Sequence, residues 1–242
     1  MKNANHIGAL SIYTRLIAEN DCVALGFCGT NGGGYFVAPY GGKQGMIATN
    51  PISFAAPSDS AGFPASTDFS TSMTAEGKIL MARDAGEKIA PNLAVDHKGM
   101  AVTDPNDYYG PPRGAILPSG ESQGYKGTAL SVMNMIFSCL LTGGNWRPRS
   151  NDRTTDGNTL MLIAIDIPHF IESGHFKKEL SEYAAFMQSC EPLDGFSEVL
   201  FPGDIENSKL RESRESGVEI DDVTYRMLKR LCSECNIDYD FT

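Results

Sequence analysis

The residues that most restrict the fold of this 242-residue chain are its glycines. Three glycine-rich stretches punctuate it, Gly29–Gly34, Gly41–Gly45 and the Ser119–Gly127 segment SGESQGYKG. None follows a strand with the spacing G-x-G-x-x-G, which in a Rossmann βαβ unit makes the tight turn, the close approach to pyrophosphate and the helix–strand packing. A conventional Rossmann domain is therefore disfavoured. Glycine still lets backbone N–H groups come close to an anion, and the third stretch opens onto a long helical pattern, where free amides and the helix dipole favour phosphate. Each stretch also reads as a plain tight turn.

The segments between the glycines alternate strand-like and helix-like patterns. Leu10, Tyr13, Leu16 and Ile17 recur at helical spacing and predict a helix over Ile7–Asn20. Cys22–Cys28 reads as a short buried strand and Ile52–Ala56 as another, stopped by Pro57. A further extended piece ends at Asp68–Ser72, followed by a helix over Met73–Glu87 in which Gly77 costs about 1 kcal/mol relative to alanine. Asp96–Gly99 is a hairpin turn, and Asp104–Pro118 a long loop rich in proline and glycine. The clearest helix is Gly124–Thr142, closed by Gly143-Gly144. A polar loop, Asn151–Asn158, leads into the buried strand Thr159–Ile167. Helices near Phe176–Ser189, Asp204–Ser216 and Asp221–Cys235 complete the chain, the last with Val223, Met227, Leu228 and Leu231 on one face. The mixture indicates α/β or α+β.

Composition narrows the function classes. A formal charge of −10, from 20 basic and 30 acidic residues, argues against a nucleic-acid partner, which needs clustered cations to displace counterions from phosphate. No run approaches the ~20 apolar residues that span a bilayer, and no signal peptide is evident, so a cytoplasmic location without membrane contact is expected. Six scattered cysteines, several in apolar runs, fit a reducing compartment. Cys232-x-x-Cys235 lacks a second Cys/His pair and reads as helix packing, and no metal site is expected. His97, His169 and His175 belong to no motif.

Several ordered motifs do carry a resemblance. They are Asn5-His6-Ile7-Gly8, as (Ser/Asn)-His-x-Gly; Val37–Pro51 (VAPYGGKQGMIATNP), ending as G-T-N-P; and Asp68–Ser72 (DFSTS), as D-x-(A/S)-T-S. Thr103-Asp104-Pro105, Leu117–Leu130 (LPSGESQGYKGTAL) and Phe201–Asp204 (FPGD) follow in register. With these the chain resembles the malate/L-lactate dehydrogenase-type oxidoreductases, the group that includes ureidoglycolate dehydrogenase, L-sulfolactate dehydrogenase and diketogulonate reductase.

The resemblance implies a mixed α/β fold with a non-Rossmann NAD(P)-binding sheet domain at 22–165, flanked by helices. Residues 1–21 and 166–242 would form the remainder of a second, mixed lobe. It also implies a homodimer and reversible hydride transfer between NAD or NADP and a small 2-hydroxy or 2-oxo acid. His6 falls on the family's acid/base position, a role that a group titrating near neutrality suits. Cofactor contacts fall on Thr30, on Phe69, Ser70 and Thr71, and on Gln123 and Lys126 before and within the long helix. Thr49 and Asn50 form a turn that shapes the substrate site in relatives, and they read equally as a side-chain-stabilised turn.

This sequence departs from the pattern at two places. Gln123 stands where the family has lysine, and Lys126 follows three residues later. Loss of a charge-assisted contact to a phosphate is worth ~1–3 kcal/mol, which Lys126 on the same helical turn can offset. Relatives also carry further residues before the histidine, with polar groups that hold the substrate carboxylate, so an N-terminal lobe is expected to be missing. Two readings follow: a 2-hydroxyacid oxidoreductase, or a non-catalytic remnant acting as a nucleotide-binding or interaction module.

Overall fold

A computed structural model describes residues 1–59, 63–148 and 157–238. The central strand β1 (Cys22–Thr30, CVALGFCGT) has no charged residue and pairs on both sides. On one side lies β2 (Ile52–Ala56), which in turn pairs with β3 (Ala65–Phe69); on the other lies β6 (Asn158–Asp166). The order β3-β2-β1-β6 is antiparallel throughout, with Gly26 opposite Ser53 and Leu162, and Ile52 opposite Phe69. No parallel βαβ crossover is present in this sheet, so the architecture is mixed α/β and not Rossmann.

Side-chain alternation along β1 decides what packs on each face. Ala24 and Gly26 leave room for helix α1 (Ser11–Ala18): a Cβ on Gly26 would lie 3.0 Å from Thr14 Cγ2 and 3.2 Å from Leu10 Cδ1. Leu10, Cys28 and Leu160 form one apolar cluster there, and Ala18, Ala24 and Ala55 a second. Thr14 and Ser53 hydroxyls, both buried, meet at 2.7 Å, and Ser53 donates onward to the Thr67 carbonyl, so the polar pair inside this layer is satisfied. The opposite face takes Phe27, stacked on Phe137 at 4.8 Å between ring centroids.

Phe137 follows α4 (Tyr125–Met135), which continues as a π-helical turn, Ile136–Leu140. The helix expected over Gly124–Thr142 is thus real but changes its winding in the last third. Gly143, at φ 70°, and Gly144 close it by donating to the Leu140 and Cys139 carbonyls.

A third apolar cluster, with Val37, Ile79, Ala94, Val102, Tyr108 and Ile116, joins α2 (Glu76–Ala85), α3 (Pro105–Tyr109) and the strand pair β4 (Ala94–Val95) and β5 (Ala115–Ile116). The expectation of a loop over Asp104–Pro118 is corrected here. Asp104 caps α3 by accepting from Asn106 N–H at 2.9 Å, and Pro105 occupies the first helical position, where its missing N–H costs nothing. The Asp-Pro pair is a helix start as much as a loop signal.

Three other expectations shift. α1 begins at Ser11, after Gly8 takes φ 72°. α2 begins at Glu76 and stops at Gly86, φ 71°. β6 is buried only at its start; Ala164, Ile165 and Asp166 are exposed. Of the polar loop Asn151–Asn158, residues 151–156 lie outside the described residues.

The chain divides into two compact units, Met1–Pro202 and Gly203–Thr242. The first also contains α5 (Ser173–Gln188), capped by Glu172. The second holds α6 (Asp204–Ser216) and α7 (Asp222–Cys235). Asp221 caps α7 by accepting from Val223 and Thr224 N–H, both at 2.9 Å; the Thr224 hydroxyl, donating at 2.6 Å, and these backbone bonds hold its carboxyl below the ordinary range.

Candidate functional site

Strand register places most of the candidate residues at one end of the sheet. Thr30 ends β1, opposite Asn158 at the start of β6; Ile52 starts β2, opposite Phe69 at the end of β3. The N-terminal segment joins this end, because Ala4 and Asn158 exchange backbone hydrogen bonds at 2.9 and 2.6 Å. His6 follows two residues on, exposed, in the loop between that bridge and α1. Its Nδ1 accepts from Gly8 N–H at 3.1 Å, which leaves Nε2 as the proton-bearing nitrogen of the neutral ring. The loop is held further by the Tyr13 hydroxyl, donating to Ile7 O at 3.0 Å, and by Asn158 Nδ2, donating to Asn5 O.

The three segments Thr49-Asn50, Phe69–Thr71 and Ser119–Gly127 are physically joined. Thr71 donates to the Thr49 carbonyl through its N–H (2.9 Å) and its Oγ1 (3.0 Å). Ser119 N–H donates in turn to Thr71 O at 3.0 Å, and Met73 N–H to Leu117 O at 2.9 Å. Gly127, in the first turn of α4, sits so close to Ser119 that a Cβ would collide with the Ser119 backbone. The glycine-rich stretch therefore opens at α4's N-terminus beside the end of β3, with Gly120 at φ 110° and Glu121 at φ 49° making the turn.

Within this cluster the candidates divide into exposed and internal groups. Phe69, Gln123 and Lys126 are exposed, and the Lys126 ammonium lies 5.9 Å from the Tyr125 ring centroid. Ser70, half-buried, donates to Ser72 O. Thr71, Thr30 and Asn50 are buried, and their side chains are engaged inside the protein. Thr30 Oγ1 donates to Gly33 O. Asn50, at φ 39°, donates through Nδ2 to Ser131 Oγ at 2.8 Å, while its Oδ1 is buried without a protein partner.

Sequence reasoning gave two sets of residues no role. The first is the buried face of α4 and of the π-helical turn that continues it: Ser131 binds Asn50, Asn134 donates to Pro51 O at 2.7 Å, and Ser138 donates to Asn134 Oδ1. Polar residues at intervals of three and four inside an apolar helix were the available signal. The second is Asp68, whose Oδ2 accepts from Ser11 N–H at 2.8 Å and so reaches from β3 to the start of α1. It was legible only as part of the DFSTS string.

Elsewhere, His169 Nδ1 pairs with Asp166 Oδ2 at 2.6 Å and His175 with Glu179 at 3.9 Å, both on the surface. Among the described residues no group of three or more His, Cys, Asp or Glu could hold a metal ion, and no helix is long and apolar enough to cross a membrane. The described cysteines are all free.

Phe69 is exposed at the end of β3, and the turn Gly120–Gly124, with Gly120 and Glu121 in the left-handed region, leads into α4. The malate/L-lactate dehydrogenase family model matches residues 1–229. The chain is 34% identical over 242 residues to the L-sulfolactate dehydrogenase of Methanocaldococcus jannaschii, covering 99% of this chain and 67% of that protein. It is 32% identical to the malate/(S)-sulfolactate dehydrogenase of Methanothermus fervidus, covering 98% and 66%. Among solved structures, malate dehydrogenase from Entamoeba histolytica superposes with a TM-score of 0.88 at 26% identity, over 99% of this chain and 68% of that one. The chain thus spans about two thirds of the length of the curated relatives it matches.

Proposed function

The chain belongs to the malate/L-lactate dehydrogenase family, and on that premise we propose that it moves a hydride between NAD or NADP and a small 2-hydroxy or 2-oxo acid. The observation that carries this reading is the register. His6, Phe69 and the N-terminus of α4 come from distant parts of the sequence and lie toward the same end of an antiparallel sheet.

NAD(P), when bound, supplies or takes up the hydride. Phe69 offers its exposed ring, Ser70 and the α4 amides offer hydrogen bonds, and Lys126 supplies the cation that Gln123 does not. Thr30, Thr71 and Asn50 act from inside, holding the β1 end, the turn at Thr49 and α4 in register. His6 handles the proton that must accompany hydride transfer at Nε2, which requires Nδ1 to exchange the Gly8 hydrogen bond for a proton, because while Nδ1 accepts from Gly8 the neutral ring already carries its proton on Nε2. Residues 22–165 would form the cofactor lobe. The same reading includes a cytoplasmic location and a homodimer; the exposed apolar Ile12 and Leu16 on the outer face of α1 favour the dimer, and light scattering gives its mass directly.

NADH titration followed by turnover of a panel of 2-oxo acids tests the proposal. The expected result is saturable binding and turnover of at least one acid, with His6→Ala losing about 100-fold or more in rate, the scale of general acid–base catalysis. Binding without turnover identifies the nucleotide-binding remnant instead. Failure to bind either NADH or NADPH contradicts the oxidoreductase reading.

A further inference from the structure

We propose that Asp68 is a positioning residue for His6, tying the strand that carries the cofactor contacts to the loop that carries the acid/base. The proposal rests on the reading of His6 and Phe69–Thr71 given above.

Helix α1 starts without a cap of its own. Leu10, at the N-cap, offers no side-chain acceptor, and the first turn has no acidic residue. A helix start leaves N–H groups unsatisfied, and the N-cap side chain ordinarily supplies an acceptor. Here the acceptor arrives from 57 residues away, as the Asp68 carboxylate on Ser11 N–H at 2.8 Å. Its charge also complements the positive end of the helix.

Residues 7–10, between this contact and His6, have little freedom left. Gly8 N–H is on His6 Nδ1, Ile7 O is held by Tyr13, and Leu10 is buried in the sheet core. The segment is thereby anchored on one side of His6 by Asn158 and on the other by Asp68. Asp68 is also the immediate neighbour of Phe69. A bound dinucleotide that orders the end of β3 orders the start of α1 through the Asp68–Ser11 hydrogen bond, and the imidazole with it.

The test follows the His6 imidazole resonances of the full chain during NADH titration, beside steady-state kinetics. In the wild type and in Asp68→Asn, whose amide oxygen still accepts from Ser11, the His6 signals move on NADH addition. In Asp68→Ala, NADH binds with unchanged Kd but the His6 response is lost. There kcat falls about fivefold to tenfold at unchanged KM for NADH, the scale of one lost cap, and Asp68→Asn recovers most of it. Asp68→Thr keeps strand propensity and gives the same readout should the alanine variant fail to fold. A wild-type His6 response and kcat in Asp68→Ala overturn the proposal, even if that variant melts earlier, because Asp68 is then a cap and no more. Absence of NADH binding to the wild type strikes the underlying reading instead. In that case the free proteins still decide the positioning claim, since identical His6 signals with and without the Asp68 carboxylate refute it.

Discussion

Thr71 and His6 both fall on motifs of the family resemblance, yet their surroundings differ. His6 is exposed, with one ring nitrogen occupied, whereas Thr71 is buried and gives both its N–H and its hydroxyl to Thr49 O. Thr71→Val removes one hydrogen bond at near-constant volume, so unfolding free energy should fall by about 0.5–1.5 kcal/mol with little change in NADH affinity. Chemical denaturation and a binding titration on the same variant check this, and a weaker Kd at full stability would show the hydroxyl on the cofactor instead. Cys28 gives a pH prediction. Burial in the sheet, and then the Asp68 charge, push its thiol up from 9.0 to about 11. The folded protein keeps the thiol neutral where the unfolded chain ionises. The resulting stability is full below pH 9 and disappears as pH rises through about 11. Melting temperature should therefore drop more steeply over that interval in the wild type than in Cys28→Ala.

The strands and helices were legible where one periodicity ran uninterrupted. β2 falls on Ile52–Ala56 and α6 on Asp204–Ser216, as the sequence pattern predicts. β1 was found but ended early, because Gly29 and Thr30 look like loop residues until β6 is seen pairing with them. α3 was missed since a five-residue helix has too little period to detect beside three prolines. The buried polar face of α4 and its π-helical continuation was invisible for a different reason. Ser131, Asn134 and Ser138 are polar by sequence and become interior only because β1 and the Thr49–Pro51 turn supply partners. Two glycines in helices make the contrast testable. Gly77, with open space around its Cβ position, should accept alanine with a gain of about 0.4–1 kcal/mol. Gly127→Ala forces α4 away from Ser119 and should cost about 1–3 kcal/mol, together with cofactor affinity. Denaturant midpoints for the pair give opposite signs if the packing is as described.

At the scale of the whole molecule, the sheet end was readable only as an ordered series of motifs. None of them states that positions 6, 30, 69 and 119–127 lie toward one end of the sheet; strand register and the loop hydrogen bonds do. The chain belongs to the family but spans about two thirds of its relatives' length, which makes activity the property to measure. Hydrogen–deuterium exchange with and without NADH tests the arrangement itself. The account predicts slowed exchange confined to residues 69–73 and 117–127, with a smaller effect around His6 and the start of α1. Unchanged exchange in those segments at saturating NADH, or protection centred elsewhere, would contradict it.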